Sequence, residues 1–269
     1  ALLDAGGAPV AGDPVAGAAA RIAAGAIVAV KGVGGWQLAC DARDAAAVAE
    51  LRRRVRRPDK PFAVMVADVA AARRWFAPTA ADEALLASPA ASIVLVDDRG
   101  RLPATVAPGH GRHGVLLPAS LLHRLLALEV DAPVVLTSGN RAGEPIPIDD
   151  AVALARLVGV ADAFLTHDRP IVARSDDSVV MATPVPAVLR RARGCAPAPL
   201  RLARSAVPLL AVGPDLHHTF CLAADTDAVL SPHVGDLDDA DTIAAWHVAL
   251  DHLLELTGVA PTLVAHDRH

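Results

Sequence analysis

The sequence predicts an α/β protein in which a mixed sheet carries flanking helices. Apolar stripes of helical period alternate with short β-branched and aliphatic runs, and Gly, Pro or Asp punctuates most junctions. The interleaving follows no strict βαβ repeat, which favours a mixed sheet over a doubly wound one. With 53% hydrophobic residues but only 3% aromatic ones, the core is built from small aliphatics. No internal repeat is evident.

Residues 13–24 read as a helix, with Asp13 as N-cap, Pro14 in the first turn and Gly25 as its stop. Residues 26–30 form a buried strand that delivers Lys31 into a glycine turn. A helix over 44–54, capped by Asp44, turns Ala47, Val48 and Leu51 inward, Pro58 and Pro61 end it, and 62–66 is the next strand. Helices follow at 69–75 and 80–87, a strand at 92–95 and a turn at DDRG, residues 97–100. Residues 121–128 are helical, 134–136 form a strand, 149–157 are helical, and 164–166, 179–182 and 187–190 are strands. The spaced prolines and polar turn of CAPAPLRLARSAVP, residues 195–208, predict a linker. Beyond it, strands at 209–212, 219–223 and 228–230, a helix at 241–256 and a strand at 262–265 make a ββ(β)αβ unit.

At 269 residues there is room for one large α/β domain or for one domain and part of another. The longest apolar runs, such as 23–30 and 132–136, are far short of the roughly 20 residues that span a bilayer, so a soluble protein is expected. The first ten residues carry no secretory signal. Cys40, Cys195 and Cys221 are odd in number and far apart, which predicts reduced thiols and a cytoplasmic protein.

Five polar segments carry the functional signal: KGVGG at 31–35, RRRVRRPDKP at 52–61, TSGN at 137–140, RSDDS at 174–178 and RRARG at 190–194. Net charge is −5, yet arginine is concentrated in two clusters, a pattern that suits a compact polyphosphate better than a nucleic-acid coat. KGVGG is neither a Walker A loop nor GxGxxG, and reads equally as a tight turn or as a close backbone approach to a ligand. On a helix, Arg52 and Arg56 fall at i and i+4, where their repulsion is relieved by an anion between them. TSGN reads as a nucleotide edge or as an Asx turn. RSDDS reads as a capped turn or as a magnesium-water contact beside Arg174. The histidine pairs at 110/113, 217/218 and 266/269 assemble no metal set by spacing, and no covalent-catalysis motif is present.

In their order, the segments VKGVGGWQLACDA, LRRRVRRPDKPFAVMV, HGVLLPAS, VVLTSGNRAGEPI, ADAFLTHDRPIVARSDDSVV and LRRARGCAPAPL resemble the YrdC-like domain of the HypF carbamoyltransferase family, which matures nickel-iron hydrogenases. Further on, LLAVGPDLHHTFCLA and LSPHVGDLDD are similar to the start of that family's actin-like (ASKHA) domain. The resemblance implies a YrdC-like twisted open sheet over 1–202 and an incomplete actin-like unit over 203–269. It implies an enzyme that joins carbamate to ATP as carbamoyl adenylate, with magnesium, for transfer to the C-terminal cysteine of a HypE-like partner. Lys31, Arg54, Arg56 and Lys60 would line the phosphate and carbamate end, and Ser138, Asn140, Arg174, Asp176, Ser178 and Arg193 would hold the nucleotide. Departures from the family pattern are Val55 for a lysine, Ala119 and Cys195 for tyrosines, Ser175 for a cysteine, Met181 for an arginine, and His217–His218 for an LKN-type pair. The family's acylphosphatase and zinc-finger regions and its histidine-rich metal motif lie outside the sequence, which implies a partial chain. Two other readings of the YrdC-like region remain: a threonylcarbamoyl-adenylate synthase for transfer RNA modification, and a non-enzymatic module for double-stranded RNA.

Overall fold

The computed structural model describes residues 1–141, 144–238 and 240–268. It divides into two compact units, Ala1–Ala142 with Ile146–Arg174 and Val179–Leu189, and Gly143–Pro145 with Ser175–Ser178 and Arg190–His269.

The elements run β1 (Leu2–Asp4), α1 (Pro14–Ala23), β2 (Val28–Lys31), β3 (Trp36–Asp41), α2 (Ala45–Val55), β4 (Ala63–Met65), α3 (Val69–Trp75), α4 (Ala80–Leu86), β5 (Ile93–Asp97), β6 (Arg112–Leu116), α5 (Leu121–Val130), β7 (Val134–Ser138), α6 (Asp150–Leu157), β8 (Ala163–Leu165), β9 (Val179–Met181) and β10 (Ala187–Arg190). The ten strands form one sheet in the order β1-β8-β2-β3-β7-β4-β6-β5-β9-β10. The sheet holds parallel pairs (β2 with β8, β4 with β6) as well as antiparallel ones (β2 with β3, β3 with β7), so it is mixed as expected.

The helices begin where short polar side chains satisfy their free N–H groups. Asp13 accepts from Val15 and Ala16, Asp44 from Ala46 and Ala47, and Thr79 forms a capping box with Asp82. Ala18, Ala19 and Ile22 of α1 and Leu126 and Ala127 of α5 pack on Val28, Val30, Ala39, Val134 and Leu136 of the sheet. Small residues at these positions let helix and sheet approach closely.

Three strands depart from the sequence expectation. β1 was not anticipated in the short, glycine-interrupted N-terminal stretch. The segment WQLACD of β3 lacks β-branched residues, and β6 opens with Arg-His-Gly, so neither shows strand propensity. Both lie inside the sheet, where burial overrides propensity: five of the six residues of β3 are buried.

The second unit holds β11 (Leu200–Val212), β12 (Phe220–Leu230), α7 (Ala240–Thr257) and β13 (Leu263–Ala265), with strand order β12-β11-β13. Its ββαβ order follows the expectation, but the linker does not survive. Residues from Leu200 onward belong to β11, paired antiparallel with β12 from Leu200↔Ala228 to Val212↔Phe220. Pro208 is accommodated because the register shifts between Ala206 and Leu209, an irregularity at which no ladder N–H is required. The strands expected at 219–223 and 228–230 are one strand, Phe220–Leu230. Phe220, Leu222 and Leu253 form the core here, with Trp246 against it. Among the described residues, no helix is long and apolar enough to cross a membrane.

Candidate functional site

At one end of the large sheet, Lys31 at the end of β2 lies opposite Trp36 at the start of β3, and Gln37 lies opposite Ser138 at the end of β7. Neighbouring strands are about 4.8 Å apart, so the KGVGG turn and the TSGN turn emerge side by side. Gly32 N–H donates to Gly35 O at 3.0 Å, Gly139 N–H to Trp36 O at 2.7 Å, and Trp36 N–H to Pro147 O at 3.0 Å. A Cβ on Gly35 would lie 2.4 Å from Ile146 Cγ2, and one on Gly139 would lie 2.7 Å from Trp36 O. The close approach these glycines permit is between the protein's own segments.

The arginine run does not form the helical pair expected of it. α2 ends at Val55, and Arg56 adopts a left-handed conformation with φ of 56°, so its exposed side chain leaves the face of Arg52. Arg52 is buried and donates to the carbonyls of Thr105, Arg57, Pro58, Lys60 and Val106, with its guanidinium 4.3 Å from the Phe62 ring centre. It organises the RPDK loop. Arg54 pairs with Glu50 at 2.8 Å and Asp162 at 2.7 Å. Lys60 is exposed on the loop.

Arg57, which the sequence reading did not single out, is the arginine that reaches the TSGN turn. Its guanidinium donates to Asn140 Oδ1 at 2.7 Å, Ser138 Oγ at 3.0 Å and Thr137 Oγ1 at 3.3 Å. Pro58 was the available signal: a helix rarely extends into the residue before a proline, so Arg57 had to leave the helix. Its guanidinium is buried and contacts these polar groups of the TSGN turn.

Beside this platform, Lys31 is buried and its ammonium contacts Asp150 Oδ1 at 2.8 Å and His167 O at 3.0 Å. Burial, with Lys31 adding to it, holds the His167 imidazole below its ordinary value. Arg174 donates to Ile146 O at 2.7 Å, fixing the loop that packs on Gly35.

In the second unit, the SDDS and RRARG segments meet each other. Asp177 accepts from Arg193 at 2.5 Å, and burial raises its carboxyl above the ordinary value against the pull of Arg193. Asp176 lies 2.9 Å from His233 Nδ1 and 3.9 Å from Arg190. Ser178 is fully buried, its hydroxyl donating to Arg193 O and accepting from Ala192 N–H, both at 2.9 Å. The carboxylates are engaged by the protein's own cations, and among the described residues no three His, Cys, Asp or Glu side chains are placed to hold a metal ion. No protein ligand is therefore assigned to magnesium.

Residues 20–192 match the Sua5/YciO/YrdC family model, described as "Telomere recombination", and residues 204–269 match the HypF Kae1-like domain. The carbamoyltransferase HypF of Rhizobium leguminosarum bv. viciae is 44% identical over 265 residues, covering 95% of this chain and 35% of that protein. The chain belongs to the HypF family. A crystal structure of full-length HypF in the phosphate- and nucleotide-bound form superposes with a TM-score of 0.94 at 39% identity, over all of this chain and 36% of the other. The chain thus spans about a third of the length of the HypF proteins it matches. A threonylcarbamoyl-AMP synthase of Xanthomonas oryzae pv. oryzae is 32% identical over 156 residues, 54% of this chain and 83% of that protein. The HypF likeness, unlike the synthase likeness, extends through the second unit.

Proposed function

We propose that this chain carries the ATP-dependent adenylation step of a HypF-type carbamoyltransferase, forming carbamoyl adenylate from carbamate and ATP. The observation that carries the reading is Arg57, a buried guanidinium held by Ser138 and Asn140 at the sheet end. The likeness to a HypF solved with phosphate and nucleotide supports ATP as the ligand.

Attack of a carbamate oxygen on the α-phosphorus forms one P–O bond. The bond to the bridging oxygen breaks, and its electron pair leaves with pyrophosphate. Two anions must meet, so the barrier is largely electrostatic, and fixed cations lower it. In this reading Arg57 faces the phosphates, Ser138 and Asn140 orient it and contact the nucleotide, and Arg56 and Lys60 supply exposed positive charge nearby. Arg54 supports α2 through Glu50 and Asp162. Arg174 positions the Ile146 loop, and Ser178 fixes the Arg193 segment. The nucleotide roles of Asp176 and Arg193 rest on the family resemblance alone. Magnesium would accompany ATP through its phosphate oxygens and water.

Division into a YrdC-like domain over 1–202 and the beginning of an actin-like transferase domain over 203–269 is part of the same proposal, supported by the two family matches. Carbamoyl transfer to the cysteine of a HypE-like acceptor in hydrogenase maturation would use the remainder of a HypF protein. The threonylcarbamoyl-adenylate alternative is favoured by the synthase likeness over half the chain. Nothing favours the double-stranded RNA reading, because Arg52, Arg54 and Arg57 turn into the fold instead of forming a basic face.

ATP–pyrophosphate exchange tests the site. Exchange should depend on carbamate, supplied as ammonium carbamate, and Arg57→Ala should lower it roughly a hundredfold while the protein stays folded. Exchange driven by threonine with bicarbonate instead would select the synthase reading.

A further inference from the structure

Lys31 is held in a way that no simple anion-binding lysine requires. Its ammonium donates to Asp150 Oδ2 at 2.9 Å and to the His167 carbonyl at 3.0 Å, and Asp150 Oδ1 lies 2.8 Å away as an ion-pair contact. The two side chains differ sharply in exposure, 3% for Lys31 and 45% for Asp150. The lysine is therefore fixed and covered, while its carboxylate partner stands half in water at the first turn of α6. An incoming anion can reach the ammonium only by taking the place of Asp150. The main-chain carbonyl of His167 cannot be surrendered without moving the loop.

We propose that Asp150 is a built-in competitor for the anionic ligand, keeping Lys31 paired in the empty site and yielding it to a phosphate or carbamate oxygen on binding. The proposal rests on the nucleotide-site reading above and adds a specificity device to it. A ligand must bring negative charge of its own to displace the carboxylate, so a neutral nucleoside gains nothing from Lys31. A buried ammonium left without any anion would be costly, which explains why the empty site supplies one. Displacement is feasible because the exposed carboxylate recovers its hydration when it rotates away.

Calorimetric titration with ATP and with adenosine tests this. Asp150→Asn keeps the shape and one acceptor but removes the competing charge. It should bind ATP roughly tenfold more tightly, the scale of one charge-assisted hydrogen bond, and bind adenosine as the parent does. Unchanged or weaker ATP binding by folded Asp150→Asn, or an equal gain with adenosine, overturns the proposal. Should the single variant fail to fold, Lys31→Met/Asp150→Leu replaces the pair with apolar side chains of similar size. Its ATP affinity should fall below that of the parent, and parent-like affinity would show that Lys31 never meets the ligand. If the parent binds ATP normally and Asp150→Asn shows no gain, the competitor role alone fails. If neither protein binds ATP, the nucleotide-site reading fails and the competitor role falls with it.

Discussion

Arg52 and Arg57 stand five positions apart in one basic run and do different work. Arg52 donates to five main-chain carbonyls, one of which, Val106 O, also accepts from Phe62 N–H, so Arg52→Ala should cost about 2–4 kcal/mol and loosen the RPDK loop. Chemical denaturation measures this, and Arg52→Lys should recover little because an ammonium lacks the planar fork. The sequence made the cluster visible but not the division of labour, because that depends on where α2 stops and on a left-handed Arg56. A second residue-scale prediction concerns His113, which is buried on β6 with Nε2 3.2 Å from Asp98. Burial pushes its imidazole below the ordinary value, with Asp98 pulling the other way. The unfolded chain therefore takes up a proton that the folded ring resists, and stability falls as pH drops below about 6.5. The slope of Tm between about pH 7 and pH 5 should be shallower in His113→Gln.

Among the elements, helices were the most legible, since Asp13 and Asp44 announce their own caps. The strands β3 and β6 were hidden because their residues suit a strand only once buried in a sheet. The glycines of KGVGG were visible as a turn, but the Ile146 loop that crosses Gly35 lies far along the chain and no local signal joins them. Gly35→Ala should destabilise the strand-end platform, since its Cβ would meet Ile146 Cγ2 at 2.4 Å. Adding Ile146→Ala should restore part of the loss, and a double-mutant cycle by thermal melting reads the non-additivity. The supposed linker offers another check. Limited trypsin digestion should spare Arg201, which pairs with Asp227 in β11–β12, and rapid cleavage there would argue for a linker after all.

For the whole molecule, order mattered more than composition. Net charge of −5 and an aliphatic core describe many proteins, whereas the fixed order of the polar segments carries the resemblance to the family. The sheet end then distinguishes among the basic residues that the motifs had grouped together. Folding brings Lys31, Arg57, Ser138 and Asn140 to adjacent strand ends, although they lie more than a hundred positions apart in sequence at the extremes. The central claim is chemical, and mass analysis of the products formed from ATP and carbamate tests it most directly. The account predicts carbamoyl adenylate with pyrophosphate, diminished in Arg57→Ala, and contradiction would be ATP that stays intact with carbamate or an adenylate that forms only when threonine is added.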